Sequence, residues 1–247
     1  MTATEQTLLS YNLSSTGEWG VITHWWVTGG PTADFITLAF FVDGETTPSI
    51  AVTPGMACGV GFNDMTRVPW STRWFGKNAL EGGWFNNIRI PFTRSIRVTY
   101  TAGPGQPDDS IYLIVRGSEN MPTLIGGLPL PPTARLRLAI TNATFPALAY
   151  VPLISAPNAT GLYFMHTLSF TSGNLNTLEG CYHAYTPADA PFPGLLLSSG
   201  TEDYFDSVRN WVWHGWRPYH VHKHTHTSPP SPPRAAGVLL QRRPVYG

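Results

Sequence analysis

The sequence predicts an all-β protein built as an antiparallel sandwich, and three observations predict it. Segments of β-branched and aromatic residues recur between Gly and Pro turns, the spacing of a sandwich rather than of alternating strands and helices. Period-two alternation is clear from Ser95 to Tyr100, where Ile96, Val98 and Tyr100 interleave with Arg97 and Thr99, as in a strand buried on one face. The 24 glycines and 23 prolines among 247 residues oppose long helices.

The predicted strands run in order through Phe35 to Val42, Ser49 to Val52, Ser95 to Tyr100, Ile111 to Val115, Leu136 to Ile140, Ala147 to Leu153 and Leu162 to Phe170. Asp43-Gly44 is a hairpin signal between the first two, and Gly173-Asn174 is a turn after the last. Gly126 to Thr133, Gly-Gly-Leu-Pro-Leu-Pro-Pro-Thr, reads as a join between two sandwich-like halves. The expected organisation is an N-terminal arm at 1–17, a first sandwich at 18–126, a second at 133–210 and a divergent His/Pro-rich tail at 211–247. One short helix is expected at Glu202 to Trp213, capped by Thr201. Prolines lack the ladder donor, so the Pro/Ser-rich stretch is expected to supply no regular central strand, and about the last 20 residues are expected to be disordered or loosely attached.

Composition narrows the function classes. Fifteen basic and 15 acidic residues cancel, so no long-range field favours nucleic acid or anionic lipid. Arg67, Arg73 and Lys77 with Trp70, Trp74 and Phe75 therefore read as a loop beside a carbohydrate cleft or subunit contact, not as a nucleic-acid patch. Residues 1–11 contain Glu5 and no long apolar run, and no segment reaches the roughly 18 apolar residues of a membrane-spanning helix; the default expectation is cytoplasmic. Cys58 and Cys181 allow a single bridge and form no zinc-ligand spacing, and two reduced thiols are expected. His220, His222, His224 and His226 alternate beside prolines, which reads as an adventitious metal-binding tail, so neither metal nor cofactor is expected. Gly59-Val60-Gly61 lacks the spacing and helix of a dinucleotide fingerprint.

Two acidic clusters stand out in a chain short of charge. Leu178-Glu179-Gly180-Cys181-Tyr182-His183-Ala184-Tyr185 and Ser199-Gly200-Thr201-Glu202-Asp203-Tyr204-Phe205-Asp206 set carboxylates among aromatics and glycines, surroundings that shift their pKa values. Glu179 and Glu202 are 23 positions apart, too far for one helix face but within reach of neighbouring strand ends. A pair of carboxyl groups on either side of a glycosidic bond is what hydrolysis of a sugar requires. Turn carboxylates and buried ion-pair partners are the competing reading of the same residues. His183, four residues after Glu179, suits orienting a carboxylate or touching a sugar, or ordinary packing. Trp84, Phe85 and Asn86 suit an aromatic wall with an amide for hydroxyl groups, and the two aromatics equally suit a core.

These segments resemble those of the DUF2961 family, whose members of known activity belong to glycoside hydrolase family 172. Phe41-Val42-Asp43-Gly44-Glu45-Thr46-Thr47-Pro48-Ser49-Ile50 is similar to its strand-turn-strand opening, and Gly82-Gly83-Trp84-Phe85-Asn86-Asn87-Ile88-Arg89-Ile90-Pro91-Phe92 to its Gly, aromatic-Asn and Pro-Phe segment. The two acidic clusters match the remaining landmarks in the same order, so the resemblance spans roughly residues 18 to 208. It implies a double jelly-roll β-sandwich, homo-oligomers (trimer or hexamer) with sites near subunit boundaries, and action on α-D-fructofuranosides or α-D-arabinofuranosides, including difructose dianhydride. Carried over, Glu202 is the nucleophile and Glu179 the general acid/base of a retaining mechanism; beside that resemblance, Trp84, Phe85, Asn86, His183 and Asp203 are the residues expected to bind the substrate. Asp203 adds like charge beside Glu202, which cationic or backbone donors must offset. From Asn210 the resemblance fades, so the second sandwich is expected to lack its last strands and activity to suffer. The alternative expectation is a non-catalytic β-sandwich for glycan binding or self-assembly.

Overall fold

The computed structural model describes residues 4–16, 18–61, 69–79, 82–103, 110–125, 127–146, 149–156, 160–169, 181–189, 194–197 and 234–242, with backbone alone at 31–32 and 234–242. The chain forms two compact units, one of Met1–Ala139, Ala159–His166 and Gly237–Gly247, the other of Ile140–Asn158 and Thr167–Ala236. Its strands are β1 (Gln6–Asn12), β2 (Gly20–Gly29), β3 (Thr37–Val42), β4 (Ile50–Val52), β5 (Trp70–Ser71), β6 (Phe75–Lys77), β7 (Trp84–Asn86), β8 (Ile90–Phe92), β9 (Ser95–Thr101), β10 (Ile111–Glu119), β11 (Leu124–Ile125), β12 (Leu128–Pro129), β13 (Ala134–Asn142), β14 (Thr160–Ser169), β15 (His183–Ala184), β16 (Leu196–Leu197) and β17 (Arg234–Arg242). The protein is all-β with several antiparallel sheets, and only a 3-10 turn at Pro31–Asp34 and the helical turn α1 (Pro54–Ala57) interrupt the described strands. Among the described residues no helix is long and apolar enough to cross a membrane.

The first unit is sandwich-like. One sheet runs β1-β9-β3-β4, the other β10-β2-β7-β6-β5 with β8 also on β2. Alternation sends Leu38, Phe40 and Val42 of β3 and Ile96, Val98 and Tyr100 of β9 inward, where they meet Trp25 and Val27 of β2 and Trp84 of β7 in one cluster. Ile90 and Phe92 of β8 and Leu136 of β13 extend that cluster. Val27, Leu38, Val42 and Val98 are fully buried. Burying side chains of this size stabilises by roughly 1.5–3 kcal/mol each.

Charged residues clasp the hairpin between β3 and β4. Asp43 and Gly44 both take positive φ, 56° and 79°, the conformation of a tight hairpin turn. The turned-in Asp43 carboxylate accepts the backbone N–H groups of Thr93 (2.9 Å), Arg94 (2.6 Å) and Ser95 (3.1 Å), and Arg135 of β13 forms an ion pair with it. Burial would raise the Asp43 carboxyl, but the Thr93 and Ser95 donors and the Arg135 guanidinium hold it below the usual carboxylate range. Glu45 takes the next arginine of the same strand, Arg137, at 2.7 Å and accepts the N–H of Val42 at 3.1 Å. Period two along β13 thus gives the acidic turn two matched cations.

Six of the seven expected strand segments are strands: β3, β4, β9, β10, β13 and β14. The expected strand at Ala147 to Leu153 is a correction, since Ala149 to Leu153 has no regular structure. There Ala149 N–H turns back onto the Pro146 carbonyl at 3.2 Å, and Pro152 has no ladder donor. The structureless tail is a second correction. Arg234–Arg242 is a strand, placed between β13 and β14 in a three-stranded sheet. Its nine residues lie between Pro233 and Pro244 and contain no proline, so every N–H remains available to a ladder. Residues 6–12, expected as an arm, form β1 and pair with β9 through a bulge between Thr7 and Leu9. The expected helix at Glu202 to Trp213 and the turn at Gly173-Asn174 lie outside the described residues.

Candidate functional site

The carboxylates Glu179, Glu202 and Asp203 lie outside the described residues, as do His220, His222, His224 and His226. Of the first acidic cluster, Cys181 to Tyr185 is described, and it carries His183 on the short hairpin of β15 and β16. Gly194 closes this hairpin with φ of 78°, and a Cβ there would come within 2.5 Å of the Ala184 carbonyl oxygen. That carbonyl instead accepts the N–H of Leu195 at 2.8 Å. Downstream, the Asp189 carboxylate accepts the Thr186 N–H and hydroxyl, both at 2.7 Å, which holds its pKa below the ordinary value and fixes the chain after Tyr185.

His183 sits between two tyrosines. Its ring stacks on Tyr185 (centroids 5.7 Å apart, 26° between planes) and meets Tyr150 edge-on (5.1 Å, 61°). Tyr150 and Tyr185 are 70% and 54% exposed, while His183 between them is half-buried. Such a trio can hold a sugar by C–H contact with the rings and by hydrogen bonds from phenol and imidazole. Neither tyrosine was legible as a site residue. Tyr185 has a local signal, two positions from His183 and hence on the same side of an extended chain. Tyr150 comes from a distant stretch and has none.

The Trp84-Phe85-Asn86 triplet is split by the pleat. In β7, Trp84 pairs with Val27 and Asn86 with Trp25, which places both on the inner face, while Phe85 pairs with Trp26 on the outer face. Trp84 is 1% exposed and its Nε1 donates to Asp34 Oδ1 at 2.5 Å. Lys77 shares that carboxylate at 2.9 Å and lies 4.9 Å from the Trp84 ring, so the indole belongs to a buried ion-pair cluster. Asn86 is occupied at both ends, donating to the Ala57 carbonyl at 2.8 Å and accepting the Ile88 N–H at 2.8 Å. Of the three, Phe85 alone stands on the outer face, half-buried beside Trp26.

Cys58 is a free thiol with no solvent exposure. Its Sγ donates to the Phe85 carbonyl at 3.1 Å, and burial pushes its pKa far above the ordinary thiol value, so it forms no bridge and supplies no thiolate. Among the described residues, no three His, Cys, Asp or Glu side chains gather as metal ligands do. No protein-family model matches the chain, and no curated protein matches it.

Proposed function

We propose that this chain is a glycoside hydrolase of the double jelly-roll type that acts on α-D-fructofuranosides or α-D-arabinofuranosides by a retaining mechanism. The single observation that carries the reading is the order of four landmarks, the last two holding Glu179 and Glu202. The setting of His183, four residues after Glu179 and flanked by Tyr150 and Tyr185, supports it, because a half-exposed imidazole between aromatic faces suits a sugar subsite.

In the proposed first step the Glu202 carboxylate attacks the anomeric carbon, the glycosidic C–O bond breaks, and protonated Glu179 gives its proton to the departing oxygen. In the second, Glu179 takes a proton from water, the water oxygen bonds to the anomeric carbon, and Glu202 leaves as a carboxylate. This chemistry requires the two carboxyl groups about 5–5.5 Å apart. Homo-oligomerisation as a trimer or hexamer belongs to the same reading.

Glu202→Gln and Glu179→Gln should each abolish turnover of 4-nitrophenyl α-furanosides while leaving the thermal transition in place. Undiminished turnover in both variants would remove the mechanism. A non-catalytic, glycan-binding sandwich is the second reading, and the exposure of Tyr150 and Tyr185 favours it, since binding needs those rings and no carboxylate. Binding of furanosides without hydrolysis at any pH from about 4 to 8 would select it.

A further inference from the structure

The outer face of the sheet formed by β10, β2 and β7 carries two rows of side chains. Pairing sets Ile114 opposite Trp26 and Trp26 opposite Phe85, an apolar row with two aromatic rings. The next row along the strands is polar, with Arg116 opposite His24. From Trp84 to Ile90 burial alternates strictly, so Asn87 and Arg89 follow Phe85 on the outer face while Trp84, Asn86, Ile88 and Ile90 are buried.

Hydrogen bonds fix the polar row. The Asn87 amide N–H donates to the Arg73 carbonyl at 3.0 Å, which leaves its Oδ1 toward His24 Nδ1 at 2.8 Å. An amide oxygen only accepts, so the imidazole keeps its proton on Nδ1 and offers Nε2 to a ligand. Arg89 Nη1 reaches the Thr23 carbonyl at 3.5 Å, and the Arg73 guanidinium lies 5.6 Å from the centre of the Trp74 ring.

Charge selects the ligand. Elsewhere in the first unit cations are matched: Lys77 with Asp34, Arg97 with Glu5, Arg135 with Asp43 and Arg137 with Glu45. Arg73, Arg89 and Arg116 form no ion pair among the described residues, although the chain as a whole has as many acids as bases. Guanidiniums gathered on one face without counter-charge repel one another, and an anionic ligand relieves that repulsion. A neutral sugar would leave them unanswered. A single-stranded nucleic acid needs a longer basic track, and a membrane surface takes a cluster of about four to eight cations. A uronic acid unit suits both rows, since its C–H face packs on Trp26 and Phe85, a hydroxyl meets His24, and its carboxylate takes two N–H groups of one guanidinium.

We propose that this face binds an acidic polysaccharide, a polymer of uronic acids, through Arg73, Arg89 and Arg116 beside Trp26 and Phe85.

The test is binding of the full chain to immobilised polygalacturonate and alginate, each also in methyl-esterified form, which keeps the polymer and removes its charge. Thermal unfolding checks that every variant folds. The wild type should bind at least one of the acid polymers, more weakly as salt is raised, and lose that binding on the esterified form. Arg116→Gln and Arg73→Gln, at exposed positions, should each weaken binding about tenfold, the scale of one charge-assisted hydrogen bond. Arg97→Gln, which removes the same charge from the other sheet, should bind as the wild type does. A folded wild type that binds neither acid polymer, equal binding to the esterified form, or the same loss in Arg97→Gln as in Arg116→Gln would overturn the proposal. Tighter binding to immobilised polyuridylate would overturn it in favour of nucleic acid.

Discussion

In the first unit Trp25, Phe40, Phe75 and Trp84 lie between two sheets, none more than 4% exposed, whereas in the second Tyr150 and Tyr185 are 70% and 54% exposed around His183. The same residue class is enclosed between sheets in one region and open to solvent among the described residues of the other. In the first unit strands of up to ten residues give alternation enough length to separate an inner from an outer face. In the second, β15 and β16 have two residues each, and Leu195, Leu196 and Leu197 are at least 46% exposed. There the turn of Thr186 with Asp189 holds the chain after Tyr185.

Substitutions sharpen this contrast. The largest effect is expected for Trp84→Ala, which removes a fully buried indole and strips Asp34 of a donor; it should cost about 3–5 kcal/mol in denaturant unfolding. A cost below about 1 kcal/mol would mean that the first unit is not held by this core.

A smaller, pH-dependent effect is expected from His166 of β14, where burial lowers the imidazole pKa from 6.5 to about 4. The unfolded chain therefore binds the proton first as pH falls. The contribution of this group should be constant above pH 6.5 and decline between 6.5 and 4, by up to about 3 kcal/mol. His166→Gln should flatten that slope. A slope unchanged by the substitution would assign the acid sensitivity elsewhere.

The smallest effect belongs to the second unit. Tyr150→Ala should change stability by no more than about 0.5 kcal/mol. A loss comparable with that of Trp84→Ala would erase the distinction between the two regions.

Much of the first unit was legible in the sequence because period two needs only local information. Ile96, Val98 and Tyr100 announce their own face, and Asp43-Gly44 announces its hairpin. Short strands do not. Trp84-Phe85-Asn86 contains no apolar-polar alternation to set parity, and its split into two inward residues and one outward follows from register against β2, a long-range property. The ion pairs of Arg135 with Asp43 and Arg137 with Glu45 likewise join residues far apart in the chain. In the same way Tyr150 joins His183 only through the fold. Glu179 and Glu202 stand out for a different reason, as acidic residues isolated in a charge-poor chain, and their role rests on the proposed function.

The most direct test of the proposed chemistry is to trap the glycosyl enzyme. Incubation with a slow 2-deoxy-2-fluoro furanoside, followed by peptide mass spectrometry, should show one furanosyl group added to the peptide containing Glu202, and that adduct should vanish in Glu202→Gln. An adduct on a different side chain, or none at all, would contradict the account.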